Sequence, residues 1–212
     1  MVDMQLIAHP TPDAAARAVA ARLADALSAR LDDGPAALAL PGGTSPAPVM
    51  AALAARPLDW ARVTVLPGDE RVVPLDHARS NHGLIRRHLL HGPAAAARLV
   101  PLAGDSDLAP LRPLSAALLG MGEDGHVASL FPAAPGLAAA LAPDAPAVVP
   151  MQAPDGEARL SLSAPVLREA GFIAIFILGA ARRAVIEAAA GADPQQYPVA
   201  AFLDRAEVHW AE

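Results

Sequence analysis

Apolar positions along the chain alternate between short unbroken runs and stretches spaced three or four residues apart. The first pattern suits strands covered on both faces, the second helices with one covered face. Residues 4–8 form the first run. Thr11-Pro12-Asp13 then opens a helix, with a hydroxyl to cap it and a proline at the first helical position. Val19, Leu23, Leu27 and Leu31 recur on one face, which carries that helix to about residue 31. The same reading predicts strands over 36–40, 63–66 and 99–100, and helices over 46–55 and 80–90. A buried strand over 114–119 follows, then two more over 147–152 and 158–162. Residues 172–178, FIAIFIL, are the clearest strand, continuous and rich in β-branched side chains, and a helix over 180–190 comes after it. The Pro/Ala-rich stretch 133–146 reads as a loop. Strand–helix alternation of this kind predicts an α/β fold, a three-layer sandwich around a mostly parallel sheet.

Composition narrows the setting. A chain of 212 residues with 54% hydrophobic content can bury a sizeable core, and 1–212 is expected to form one domain. A formal charge of -6 and the lack of any long basic run argue against nucleic acid as a partner. Without cysteine there is no disulfide, thiolate nucleophile or thiolate zinc site. The opening MVDMQLIAHP lacks the basic region and cleavage pattern of a secretory signal, and 172–178 is too short to span a bilayer. The expectation is a cytoplasmic protein with no membrane partner. All 16 basic residues are Arg, a bias shared with heavy Ala and Pro use.

Ligands of open α/β sheets bind beyond the carboxyl ends of the strands, so chemistry is sought in the loops that follow strands. The first is PGGTSP, 41–46. Gly42 and Gly43 expose backbone N–H groups, Thr44 and Ser45 add hydroxyls, and a helix start follows, a set that suits phosphate. The alternative is a glycine turn in which Thr44 or Ser45 only caps the helix. Neither GxxxxGK[ST] nor GxGxxG is present, so no nucleotide cofactor is indicated. The second loop, GDERVVP, carries Asp69, Glu70 and Arg71. Arg71 could hold an anion through its planar fork, or the triplet could be a solvated charged turn; Ser80 beyond it suits a helix cap. The third, LGMGEDGHVASLFP, puts Asp124 two residues before His126, where a carboxylate can orient an imidazole for proton transfer. The alternative is a surface turn with an incidental histidine. His88 and His91 share a helix with no third metal ligand in view, and no GxSxG elbow supports a serine nucleophile.

The three motifs in this order, with SN after the second, resemble the 6-phosphogluconolactonases, and the GEDGH-ASLFP segment is the most specific part. The likeness continues through ARLSLSAPVLREAGFIAIFILGAARRAVIEA to PVAAFL, nearly the whole chain. The resemblance implies a fold shared with glucosamine-6-phosphate deaminases and ribose-5-phosphate isomerases. It implies hydrolysis of 6-phosphoglucono-δ-lactone in the oxidative pentose phosphate pathway, with neither metal nor other cofactor and with a phosphorylated sugar lactone as the partner. His126 takes the place of the catalytic histidine. Gly43, Thr44, Arg71 and the basic residue of a GxxK element line the substrate site, the last two near the phosphate, while Asp69 and Asp124 fall on acidic motif positions and are expected to share in catalysis with His126. Here that GxxK element ends on Arg182, with Arg183 beside it, in a chain without Lys. The segment 99–119 is also short, as if a peripheral helix were trimmed, and Ser115 stands where an acidic residue is common.

A lactone is an activated ester, so a positioned water, a base and help for the ring oxygen suffice. His126 can take the proton from water and return one to the ring oxygen. Backbone N–H groups of residues 122–125 are expected to steady the oxyanion, and the phosphate serves as an orienting handle. Two rivals are weighed. A glucosamine-6-phosphate deaminase runs toward GHIAFNEP where this chain has GHVASLFP. A sugar-sensing regulator needs a DNA-binding segment, for which an acidic chain whose first strand starts at once leaves no room. The sequence carries no signal of oligomeric state.

Overall fold

The computed structural model describes residues 4–102 and 108–212. Residues 1–3 of the stretch read for a leader, and 103–107 of the shortened segment, lie outside the described residues. The chain opens with β1 (Gln5–Ala8) and α1 (Pro12–Asp33), followed by β2 (Ala36–Leu40), α2 (Ala47–Ala54), β3 (Val63–Pro67), β4 (Asp69–Arg71) and α3 (Asn81–Leu89). Next come β5 (Arg98–Leu99), β6 (Ala116–Gly120), α4 (Leu137–Leu141), β7 (Val148–Gln152), β8 (Ala158–Leu162) and α5 (Ala164–Arg168). The last elements are β9 (Phe172–Leu178), α6 (Ala180–Ala189) and β10 (Glu207–Ala211).

Seven strands pair in parallel in the order β1-β10-β9-β6-β2-β3-β5. Because side chains alternate across a strand, the sheet separates two cores. Leu38 and Leu40 pack with Leu23 and Leu27 of α1 and Met50 of α2 on one face. Ala37, Ala39, Ile173 and Ile175 pack with Val166, Ile186 and Phe202 on the other. This is the expected three-layer arrangement. Thr11 caps α1 by accepting the Ala14 N–H at 3.1 Å, and Gly34 ends it. Ser115 Oγ accepts the Ala37 N–H at 3.0 Å, at the amino ends of β6 and β2.

Three details depart from the sequence expectation. β7 and β8 are real strands, but they lie outside the main sheet, in an antiparallel sheet of order β4-β8-β7. β4 was hidden because its three residues are all charged, and their side chains find partners only in the fold: Asp69 in Ser129, Glu70 in the start of α3 and Arg71 in Asn81. β10 was hidden for a related reason: EVHWA shows no apolar run, yet it sits between β1 and β9. Glu207 meets Arg22 at 2.6 Å and His209 meets His9 at 3.0 Å, so these polar groups are paired on burial. Burial pushes the His209 imidazole below its usual range, with the Glu207 contact opposing that shift. The loop 133–146 holds the short helix α4, which Gly136 starts at a φ of 87° and whose Leu137 and Ala140 are buried. Among the described residues no helix is long and apolar enough to cross a membrane.

Candidate active site

A cleft of about 540 Å³ opens at the carboxyl ends of β2, β6 and β9. Gly42, Gly43, Ser45, Asp69, Arg71, His126 and Arg182 all line it, so the three loops and the helix after β9 meet at one place. Asp124 reaches the cleft through His126. Thr44 does not line it: its side chain is exposed, and its carbonyl accepts the Ala47 N–H at 3.2 Å. Neither hydroxyl of PGGTSP caps α2, whose N-cap is Pro46 with no side-chain bond.

The histidine loop is shaped by its backbone. His126 Nδ1 lies 2.6 Å from Asp124 Oδ1, and the His126 backbone N–H donates to the same oxygen at 3.1 Å. A carboxylate at Nδ1 holds the ring proton there and leaves the Nε2 lone pair as the basic site. The Phe131 ring, 4.7 Å away and tilted by 50°, limits how far the imidazole can turn. A Cβ at Gly122 would fall 2.3 Å from both Cε1 and Nδ1 of His126, so only glycine lets the ring lie against the chain. Gly125 takes a φ of 82° and passes Tyr197 so closely that a Cβ would sit 2.8 Å from Cδ1. The Gly122 N–H donates to the His126 carbonyl at 3.0 Å and the Gly125 N–H to the Gly122 carbonyl at 3.1 Å. These two amides therefore hold the loop together and do not face an oxyanion, which corrects that expectation for them.

The opposite wall is shaped by side chains. Glu70 accepts the backbone N–H groups of Arg71 at 2.8 Å, Asn81 at 2.7 Å and His82 at 2.8 Å, and the Ser80 hydroxyl at 3.0 Å. Ser80 in turn accepts the Gly83 N–H at 3.1 Å, so Glu70 and Ser80 together fasten the start of α3 to β4. This places Asn81 in the cleft. Its amide donates to the Asp69 carbonyl at 2.8 Å, and its Oδ1 accepts from Arg71 Nη1 at 2.8 Å. A Cβ at Gly42 would lie 2.1 Å from that Oδ1, so the first loop can pass over Asn81 only as glycine.

Asp69 is 6% exposed. Its Oδ2 accepts the Ser129 hydroxyl at 2.6 Å, its Oδ1 the Asn81 amide at 3.2 Å, and Arg159 Nη1 lies 3.8 Å away. Burial raises the Asp69 carboxyl above the usual range, opposed first by the Ser129 hydrogen bond and then by Arg159 and Arg71. Asp69 thus joins the histidine loop to the arginine wall. Arg159 was not among the expected residues. It lines the cleft from β8, a stretch read only for its strand pattern. Asn81 was likewise missed, although SN in the second motif pointed at it.

At the third side, Arg182 donates from Nε to the Met121 carbonyl at 3.2 Å and lies 3.4 Å from Glu123 through Nη2. Arg183 turns away, donating to Glu187 at 2.9 Å and stacking 4.5 Å from the Trp210 ring centroid. Of the two arginines, Arg182 is the one in the cleft. His91 Nε2 lies 3.1 Å from the His88 carbonyl, and no group of three or more His, Asp or Glu arranged for a metal occurs among the described residues. The cleft as a whole offers an oriented imidazole facing three guanidinium groups.

The family described as glucosamine-6-phosphate isomerases/6-phosphogluconolactonase matches residues 10–210. A 6-phosphogluconolactonase of Pseudomonas putida is 44% identical over 208 residues, covering 91% of this chain and 85% of the relative. One of Pseudomonas aeruginosa is 44% identical over 214 residues, covering 92% and 90%. The crystal structure of a 6-phosphogluconolactonase from Shewanella baltica superposes with a TM-score of 0.94 at 27% identity, covering 100% of both chains.

Proposed function

The chain belongs to the glucosamine-6-phosphate isomerase/6-phosphogluconolactonase family, and on that premise we propose that it hydrolyses 6-phosphoglucono-δ-lactone to 6-phosphogluconate. The observation that carries the mechanism is the 2.6 Å contact between His126 Nδ1 and Asp124, in a cleft shared with Arg71, Arg159 and Arg182. In this reading His126 Nε2 takes a proton from water as the oxygen attacks the lactone carbonyl. The carbon–ring-oxygen bond then breaks, and the same proton passes from Nε2 to the ring oxygen. Asp124 keeps the proton on Nδ1 throughout and stabilises the transient imidazolium. The arginines hold the phosphate, which fixes the lactone relative to the imidazole and makes the attack intramolecular in effect. Gly42, Gly43 and Ser45 bound the same space, and Asp69 positions the arginine wall. The reaction needs no metal, and it runs in the cytoplasm, with 1–212 acting as one catalytic domain.

A coupled assay with freshly generated 6-phosphogluconolactone, corrected for spontaneous hydrolysis, tests this reading. Acceleration that survives EDTA is expected. A rate no higher than background, or activity lost to EDTA and restored by zinc, would overturn it. Ammonia release from glucosamine-6-phosphate, run in parallel, would point to the deaminase branch of the family.

A further inference from the structure

Glu157 stands just before β8, in the turn that joins β7 to it. Three arginines converge on its carboxylate. Oε2 lies 2.6 Å from Arg159 Nη2 and 3.6 Å from Arg71 Nε, and Oε1 lies 2.6 Å from Arg79 Nη2. Arg71 and Arg159 line the cleft and Glu157 does not, so the carboxylate sits behind the two guanidinium groups. The donors it leaves unspent can be identified. Arg71 Nη1 is committed to the Arg79 carbonyl and Asn81, and Arg159 Nη2 to Glu157. Arg71 Nη2 remains for an anion, and Arg159 Nη1 is held only by its 3.8 Å contact to Asp69. Arg71 Nε, Arg159 Nε and Glu157 Oε2 are buried without a well-directed hydrogen bond. At these three atoms the carboxylate holds the guanidinium groups by charge, while the Arg71 plane is also fixed by the two bonds of Nη1.

We infer that Glu157 is a positioning residue for phosphate recognition, whose carboxylate holds Arg71 and Arg159 as one fork aimed into the cleft. The inference rests on the phosphate end of the proposed lactonase site. Removing the charge leaves two neighbouring guanidinium groups to repel one another and swing apart, so an anion must reassemble the fork each time it binds.

Glu157→Gln keeps the shape and removes the charge. Its expected signature is a KM for the phosphorylated lactone about tenfold higher, the size of one charge-assisted contact, with kcat unchanged. Binding of inorganic phosphate, measured by calorimetry, should weaken by a similar factor. Glu157→Asp should fall between the wild type and the Gln variant, and it serves in place of Glu157→Gln if that variant does not fold. Arg62→Ala is the control, because Arg62 is exposed, outside the cleft and paired with Asp59 at 3.9 Å, away from the Glu157 cluster. It should leave KM where it is. Unchanged KM and phosphate affinity in Glu157→Gln would overturn the inference, and so would tighter phosphate binding, which would make Glu157 a competitor of the anion. Calorimetry separates the two readings. If the wild type hydrolyses no lactone while Glu157→Gln still weakens phosphate binding, the lactonase reading fails and the positioning role stands.

Discussion

At the imidazole end of the cleft the chain is shaped by its own backbone, whereas at the arginine end it is shaped by side chains from three separate segments. Around His126 the geometry depends on Gly122 and Gly125, on amides bonded within the loop, and on a carboxylate two residues away. Around Arg71 and Arg159 it depends on Asp69, Asn81, Glu70 and Glu157, which come from β4, α3 and the β7–β8 turn. A backbone-built site tolerates no added atom but needs few partners. A side-chain-built site can lose one partner and keep the rest. The two ends should therefore fail differently, one abruptly in turnover and the other by degrees in binding.

The largest effects belong to the imidazole end. His126→Ala should lower kcat by roughly 10²–10⁴-fold with little change in KM, since the arginines proposed to hold phosphate lie elsewhere. Gly122→Ala should come close to this, by about 10²-fold, because its methyl group would displace the ring it now touches. Steady-state kinetics on both variants, with circular dichroism to confirm folding, checks the pair. Near-full turnover in either variant would mean that the imidazole does not carry the proton.

That difference also governs how much could be seen in the sequence. Asp124, Gly125 and His126 are adjacent, so the loop announces its chemistry in one short string. The strand–helix alternation was equally plain, because β2, β6 and β9 are unbroken apolar runs and β3 is interrupted only by Thr64. The arginine end exists only once β4 pairs with β8, bringing Asp69 opposite Ser161 and Arg71 opposite Arg159. No local pattern encodes that pairing, so Arg159 and Glu157 went unread. Arg182 is reached through family resemblance, and of the two neighbouring arginines it is the one that lines the cleft. β10 escaped because a buried strand whose polar groups find partners need not look apolar.

Arg182 lines the same cleft from a third side, and its variants test whether binding can be separated from chemistry. Arg182→Ala should raise KM for the phosphorylated lactone by about ten- to a hundredfold, the loss of one charge-assisted partner. Slow hydrolysis of unphosphorylated gluconolactone should hardly change. Arg182→Lys should recover part of the loss, keeping the charge without the two-pronged geometry. Arg183→Ala, which removes only contacts to Glu187 and Trp210, should do little. Equal losses on both substrates would show that Arg182 supports the histidine loop through the Met121 carbonyl and does not hold phosphate.

The smallest effect should come from the bond that links the ends, Ser129 to Asp69. Ser129→Ala removes the strongest influence that opposes the burial-driven rise of the Asp69 pKa, so that pKa should climb further. A buried carboxyl with a native pKa above its unfolded value holds its proton more tightly when folded. Its ionisation therefore costs stability, a cost that builds as pH rises from the unfolded value to the native one and is complete above it. The variant should be less stable than the wild type by about 1.5–3 kcal/mol near neutrality, as expected for a hydrogen bond to a charged group. The deficit should shrink as pH falls toward about 4, where Asp69 is protonated in the folded state of both proteins and only a neutral hydrogen bond is missing. Turnover should fall only severalfold, because Asp124 still orients His126. Urea unfolding of both proteins across this range measures the difference. A deficit that stays constant with pH, or grows on acidification, would mean that Ser129 does not set the Asp69 charge. A turnover loss matching His126→Ala would move Ser129 from the seam between the two ends into the reacting end itself.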